Sequence, residues 1–382
     1  AVLTNDRIYF QPAGISLSNE TGATFWMIRD IVASARRYDG LKDCALELFM
    51  KDETSVLLSF DSNKERELVM NLMPVGTPCH TDPKVVLEAV GQWSKGVLSN
   101  FEYLLLLNSA AGRSFNDLSR YPVFPWVIAD YSSTKLNLDA KETYRDLTKP
   151  IGALNEERLE YFQRRLEGMQ DIDHPFLYGT HYSAPGYVLY YLVRCMPEHM
   201  LCLQNGKFDS PDRMFHSLDH TYSSALTNHA DVKELIPEFY DTSAGSDFLI
   251  NARNLPLGNT QLGDRVHDCR LPPWAKSPRD FIRKNRKALE STICSRNLPH
   301  WIDLIFGVNS RGENARRHNN LFHKAAYLRP EDLQMMESDD ERAHAELHAM
   351  EFGIVPDLLF TANHPLKGEG AEMEENFVRR RW

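Results

Sequence analysis

Cysteine is scarce in this sequence: six residues in 382, with no Cys-x-x-Cys pair. That excludes a disulfide-stapled scaffold and reads as a reducing, cytosolic setting. Phosphate-cradling loops are missing too. Neither G-x-x-x-x-G-K-[S/T] nor G-x-G-x-x-G occurs, so a P-loop or dinucleotide site has no support. The hydrolase elbow G-x-S-x-G is also absent. No apolar run approaches the roughly 18 residues of a membrane-spanning helix. Positive charge is short: 43 Lys+Arg face 53 Asp+Glu, a net of −10. That argues against a general nucleic-acid binder and weakly against tight binding to anionic lipid. The chain opens at Ala1 with no Met and no signal peptide, which reads as a fragment.

What is present suffices for a large core. At this length two to three domains are expected, and roughly three quarters of the unfolded surface is buried on folding. The 42% hydrophobic content excludes wholesale disorder. The negative charge is uneven. Residues 1–76 carry 8 Lys+Arg against 11 Asp+Glu, residues 329–382 carry 6 against 13, and the middle holds 29 of each. Two local basic spots, Arg36-Arg37 and Arg311…Arg316-Arg317, read as solvated turns.

The first 73 residues show short apolar or alternating runs, such as Arg7 to Phe10, Ala45 to Phe49 and Val56 to Phe60. Turn residues at Pro12 to Gly14, Asn19 to Gly22 and Asp39-Gly40 separate them. Asp61-Ser62 then opens a helix over Asn63 to Leu72. This order predicts a small β-barrel capped by a C-terminal helix, with its amino-terminal edge cut off. Pro74, Gly76, Pro78 and Pro83 punctuate a linker. Beyond it, helical stretches alternate with long irregular segments. Tyr121-Pro122-Val123-Phe124-Pro125-Trp126 cannot be a regular helix yet is strongly apolar; it is expected to be buried, with its backbone groups met by unusual partners. Leu271-Pro272-Pro273-Trp274 reads the same way. The final stretch, 369–382, is polar.

Three constellations could carry chemistry. His216/His220 and His344/His348 have the spacing of paired imidazoles on one helical face, but neither shows the remaining ligands of a zinc site. Gly179-Thr180-His181-Tyr182-Ser183, with Asp171 and Asp173 upstream, could form a His-activated nucleophile, although catalytic partners usually meet through the fold rather than along the chain. A lipid-reading pocket in the first 76 residues would need converging cations, and only Arg7, Arg29, Arg36, Arg37 and Lys42 are available early in the chain. No residue set emerges for a cofactor or metal.

Longer motifs carry more. Ser99-Asn100-Phe101-Glu102-Tyr103-Leu104, Ala111-Gly112-Arg113-Ser114-Phe115-Asn116-Asp117-Leu118 and Tyr121 to Trp126 follow one another. Then come Gly179 to Ser183, Asp231-Val232-Lys233-Glu234-Leu235-Ile236-Pro237-Glu238-Phe239-Tyr240 and Trp301-Ile302-Asp303-Leu304-Ile305-Phe306-Gly307. In this order they resemble a BEACH domain over residues 93–366, and details such as Lys149 to Asn155 resemble the FAN subgroup (factor associated with neutral sphingomyelinase activation). The resemblance implies an α+β molecule: a PH-like domain at 1–76, a linker at 77–92, a mainly helical BEACH domain with irregular extended core segments, and a tail at 367–382 leading towards WD repeats. It implies a non-enzymatic scaffold in vesicle and lysosome trafficking and membrane-proximal receptor signalling, cytoplasmic and peripheral to membranes. Protein partners are expected, and no nucleic acid, metal or cofactor.

The resemblance also implies a groove between the two domains. On the PH side Arg36, Arg37 and Tyr38 are the candidates, because they end a strand-like run before the Asp39-Gly40 turn. On the BEACH side Asn100, Tyr103, Asn108, Arg113 and Asn116 could line a polar edge beside Leu104 to Leu107. The alternative for Arg113 and Asn116 is that they satisfy buried backbone groups.

Overall fold

A computed structural model describes residues 2–10, 24–74, 76–169, 174–368 and 378. The turns expected at 12–14 and 19–22, Asp171, Asp173 and all of 369–382 except Val378 lie outside the described residues.

Among the described residues, six strands open the chain. β1 (Val2–Leu3), β2 (Arg7–Phe10) and β3 (Thr24–Met27) form one antiparallel sheet, and β4 (Ile31–Asp39), β5 (Lys42–Met50) and β6 (Ser55–Ser59) form another. Among the described residues no ladder joins the two into a ring. Alternation sends Ile8, Ile31, Leu46, Leu48, Met50 and Leu58 into a shared core. Helix α1 (Asn63–Met70) closes that core with Val69 and Met70, and starts where the Ser62 hydroxyl accepts from Glu65 N–H.

The stretch expected as a linker, 77–92, is ordered structure. Residues 78–80 run along β4, with Ser34 N–H donating to Pro78 and His80 N–H to Ser34, at 2.9 and 2.8 Å. Pro83 then starts helix α2 (Pro83–Ser94) behind an Asp82 cap. Its missing N–H costs nothing at that position, and Val86, Ala89, Val90 and Trp93 bury one face. Pro83 is a helix start rather than linker punctuation.

The remainder is mainly helical: α3 (Asn100–Ala110), α4 (Glu156–Glu167), α5 (Pro185–Leu192), α6 (Pro197–Leu203), α7 (Leu218–Thr227), α8 (Pro278–Leu289), α9 (Thr292–Ile305), α10 (Gly312–Arg317), α11 (Pro330–Gln334) and α12 (Asp339–Phe352). Between them run extended segments that are deeply buried. Val123, Phe124 and Trp126 have no exposed surface. Phe124 and Leu235 exchange backbone hydrogen bonds of 2.9 Å in both directions, and the Tyr240 hydroxyl donates to Pro125 at 2.6 Å. The Trp126 indole donates to the Lys233 carbonyl at 2.9 Å. Glu234 ties the centre together, accepting from Trp126 N–H, Arg145 and the Trp301 indole at 3.1, 2.7 and 3.2 Å. The expectation of a Pro-broken, buried segment is met, and its unusual partners are the 231–240 strip and the Asn108 side chain.

Candidate functional site at the domain junction

The β4–β5 hairpin reaches out of the PH-like domain and inserts against the end of α3, the 111–120 loop and α12. Leu41 at its tip is 1% exposed and packs with Leu333, Ala345, Ala349 and Ile354. Behind the tip lies a polar network centred on a buried ion pair. Arg37 Nε donates to Glu47 at 2.8 Å, its Nη1 to the Ser109 carbonyl at 2.7 Å and its Nη2 to the Ser109 hydroxyl at 2.7 Å. The two charged side chains are 2% and 1% exposed. The other Glu47 oxygen accepts from Ser55, Ser114 and the Asn116 amide at 3.0, 2.9 and 3.1 Å. His80 meets the Ser109 hydroxyl at 2.9 Å. Burial, and then the Arg37 charge, push its imidazole down to about 4. Arg120 spans the junction as well, donating to the Gly40 carbonyl at 3.1 Å and lying over the Tyr38 ring at 4.4 Å.

The sequence candidates divide on this frame. Arg37, Tyr38 and Asn116 are brought together, in the contact between the domains rather than along an open groove. Arg36, on the opposite face of β4, forms a two-bond pair with Glu67 at 2.9 Å for each bond. Asn100, Tyr103, Asn108 and Arg113 do not line a groove. All are buried, and they are spent on the irregular core. Asn100 donates to the Leu289 carbonyl at 2.6 Å and accepts from the Trp93 indole at 2.8 Å. The Tyr103 hydroxyl meets His364 at 2.6 Å. Asn108 donates to Leu104 and Val123 carbonyls and accepts from Val123 N–H, at 2.9, 2.9 and 2.8 Å. Arg113 donates to the Ile354 carbonyl at 2.7 Å, and burial pushes its guanidinium down to about 10. The physical task of Asn100, Asn108 and Arg113 is to satisfy buried backbone groups. Of the BEACH-side candidates only Asn116 reaches the surface, next to Phe115, which is 47% exposed and packs edge-on against Tyr121.

Glu47, Leu41, His80, Ser109, Ser114 and Arg120 were missed as junction residues. One signal was available: Glu47 is a lone charge inside the apolar run Ala45 to Phe49. The nucleophile reading has no supporting geometry. Ser183 Oγ turns to the Tyr121 carbonyl at 3.4 Å, and His181 Nδ1 accepts from the Ser183 backbone at 3.1 Å. The rings of His216 and His220 lie 4.7 Å apart. Among the described residues, no group of three or more His, Cys, Asp or Glu is placed to hold a metal, and no helix is long and apolar enough to cross a membrane.

Comparison with known proteins gives two family matches: the Beige/BEACH domain over residues 91–367, and the PH domain associated with Beige/BEACH over residues 4–74. The chain is 41% identical over 353 residues to BEACH domain-containing protein B of Arabidopsis thaliana, covering 86% of this chain and 13% of that protein. It is 37% identical over 373 residues to a putative neurobeachin homolog of Caenorhabditis elegans, covering 93% and 15%. It is 38% identical over 392 residues to Beige protein homolog 1 of Saccharomyces cerevisiae, covering 90% and 18%. The chain thus spans less than a fifth of the length of each of these relatives.

Proposed function

The chain belongs to the BEACH family, with the PH domain associated with BEACH preceding the BEACH domain, and from that premise we propose that it acts as a non-enzymatic scaffold. Its two domains present one composite surface to a protein partner in vesicle and lysosome trafficking and in receptor signalling at the cytoplasmic face of membranes. The observation that carries this reading is the shared Arg37–Glu47–Ser109 network. A buried ion pair whose hydrogen bonds cross from one domain to the other fixes their relative placement, so a partner can read both at once. The exposed rim of the junction supplies the contact residues, with Phe115 as the aromatic anchor beside Asn116. A lipid-reading role draws less support: Arg36 and Arg37 are committed to Glu67 and Glu47, and Arg7 lies 3.5 Å from Asp6.

Affinity capture from cells with the whole unit and with its Phe115→Ser variant tests the reading. Phe115 is exposed, so the substitution is expected to leave the melting temperature nearly unchanged. Proteins captured by the wild type and lost from the variant would be junction partners. An identical captured set would contradict recognition at this rim.

A further inference from the structure

Next to the seat of Leu41, with which it shares Ala345, a cleft of about 1230 Å³ opens between α10, the 324–327 turn, α11 and α12. Small-molecule sites occupy roughly 300–1,000 Å³, so this cleft has room for a stretch of polypeptide. Four cations line it: Arg311, Arg316, Lys324 and Arg329. Two of them belong to the basic spot that reads as a solvated turn in the sequence. Among the described residues none of the four is in an ion pair, whereas the neighbouring Arg317 pairs with Glu313 at 3.3 Å.

The lining carboxylates cancel these charges only in part. Glu313 is taken by Arg317. Asp332 accepts from the Arg329 backbone N–H at 2.8 Å. That hydrogen bond leaves its charge in place, so Asp332, with Asp340 and Glu341 in the first turn of α12, stands against four cations. Two buried polar atoms in the lining also lack partners among the described residues: Arg311 Nε and His348 Nδ1. Arg311 is held in place by a 3.0 Å bond to the Pro356 carbonyl and by the Tyr327 ring at 5.5 Å. His348 is held between the rings of His323 and Phe352, at 5.5 and 4.4 Å. Such positioned but unanswered polar atoms are rare in folded proteins and need an explanation. Between the charges lie Leu321, Phe322, Leu328 and Met336.

We propose that this cleft docks an acidic peptide segment of a partner protein, its carboxylates meeting Arg311, Arg316, Lys324 and Arg329 and its apolar side chains filling the space between them. Clusters of arginine are the usual readers of acidic motifs, and the volume suits a chain better than a single headgroup. The site is separate from the junction rim, so the two can fail independently.

A short fluorescein-labelled peptide alternating leucine with glutamate, titrated with the full chain and followed by anisotropy, tests the proposal. Saturable binding that weakens with salt is expected. Arg316→Glu/Lys324→Glu should weaken it by roughly tenfold or more; both side chains are exposed, so the melting temperature should hold. Should the reversed pair fail to fold, Arg316→Gln/Lys324→Gln gives the same test with a smaller loss. Lys207→Glu/Arg296→Glu changes the net charge equally, at exposed positions outside the cleft lining, and should bind like the wild type. No saturable binding, equal weakening by the control pair, or capture through Arg316 and Lys324 of vesicles carrying phosphatidylinositol bisphosphate but not of the peptide would each overturn the proposal.

Discussion

Glu47→Ala removes the acceptor at the centre of the junction. Arg37 would keep its bonds to Ser109 but lose the carboxylate that its Nε meets at 2.8 Å, and Ser55, Ser114 and the Asn116 amide would lose the oxygen they share. Deleting one member of a buried ion pair typically costs about 3–5 kcal/mol, because the other charge stays desolvated. Unfolding entropy of about 2.1 cal/mol/K per residue, over 382 residues, gives about 0.8 kcal/mol/K. A loss of about 4 kcal/mol therefore lowers the melting temperature by about 5 °C if both domains melt together. The companion variant Arg37→Met/Glu47→Leu removes both charges and should recover most of that loss, since replacing a buried pair by apolar groups is often neutral. Scanning calorimetry of the three proteins measures the midpoint and the number of transitions. A Glu47→Ala midpoint within about 1 °C of wild type would refute the reasoning, because the pair would then not be desolvated. Two separate transitions in the wild type would refute it as well, because the domains would not be one cooperative unit.

Three further outcomes follow from the geometry. Gly353 ends α12 at φ +76, and an added Cβ would lie 2.6 Å from His181 Nε2 and 2.7 Å from the Ser183 carbonyl; Gly353→Ala should cost about 3 kcal/mol in urea unfolding, and a cost below about 0.5 kcal/mol would show that the 181–184 strip yields freely. His80 is held neutral by burial, with its folded value lowered to about 4 from 6.5. The unfolded chain therefore binds more protons between pH 4 and 6.5, the contribution is complete above 6.5, and it is lost as pH falls. It amounts to about 3 kcal/mol at most, and His80→Asn should flatten the stability-versus-pH curve across that window; an unchanged slope would mean the ring is protonated in place. Leu41→Asp puts a charge into the apolar seat formed by Leu333, Ala345, Ala349 and Ile354, and should make the 330–352 region more sensitive to limited proteolysis while the β-sheets stay protected; uniform protection would place the hairpin tip in water.

How much of this was legible in the sequence depended on whether the deciding partner was local. Tyr121 to Trp126 could be read as buried and non-helical because its prolines and apolar side chains carry both facts within six positions. Helix α1 was legible from its cap. Helix α2 carried its own signals too, with Asp82 before Pro83 and apolar residues at helical spacing, but the run of prolines before it looked like linker. Asn100 was not legible: its partners Leu289 and Ser295 lie 189 and 195 residues away, and a polar residue type does not distinguish a wet edge from a buried staple. The adjacent arginines show where a rule was available and unused. Neighbouring residues of a strand point to opposite faces, so Arg36 and Arg37 could not both belong to one recognition edge. Which of them turns inward is set by register. Arg37 sits opposite Ala45 and Ala35 opposite Glu47, which makes Arg37 and Glu47 diagonal neighbours on one face, within reach of long side chains. Glu47, the lone charge in the apolar run Ala45 to Phe49, therefore selects Arg37 as the residue that closes the junction, and leaves Arg36 to Glu67 and the solvent side.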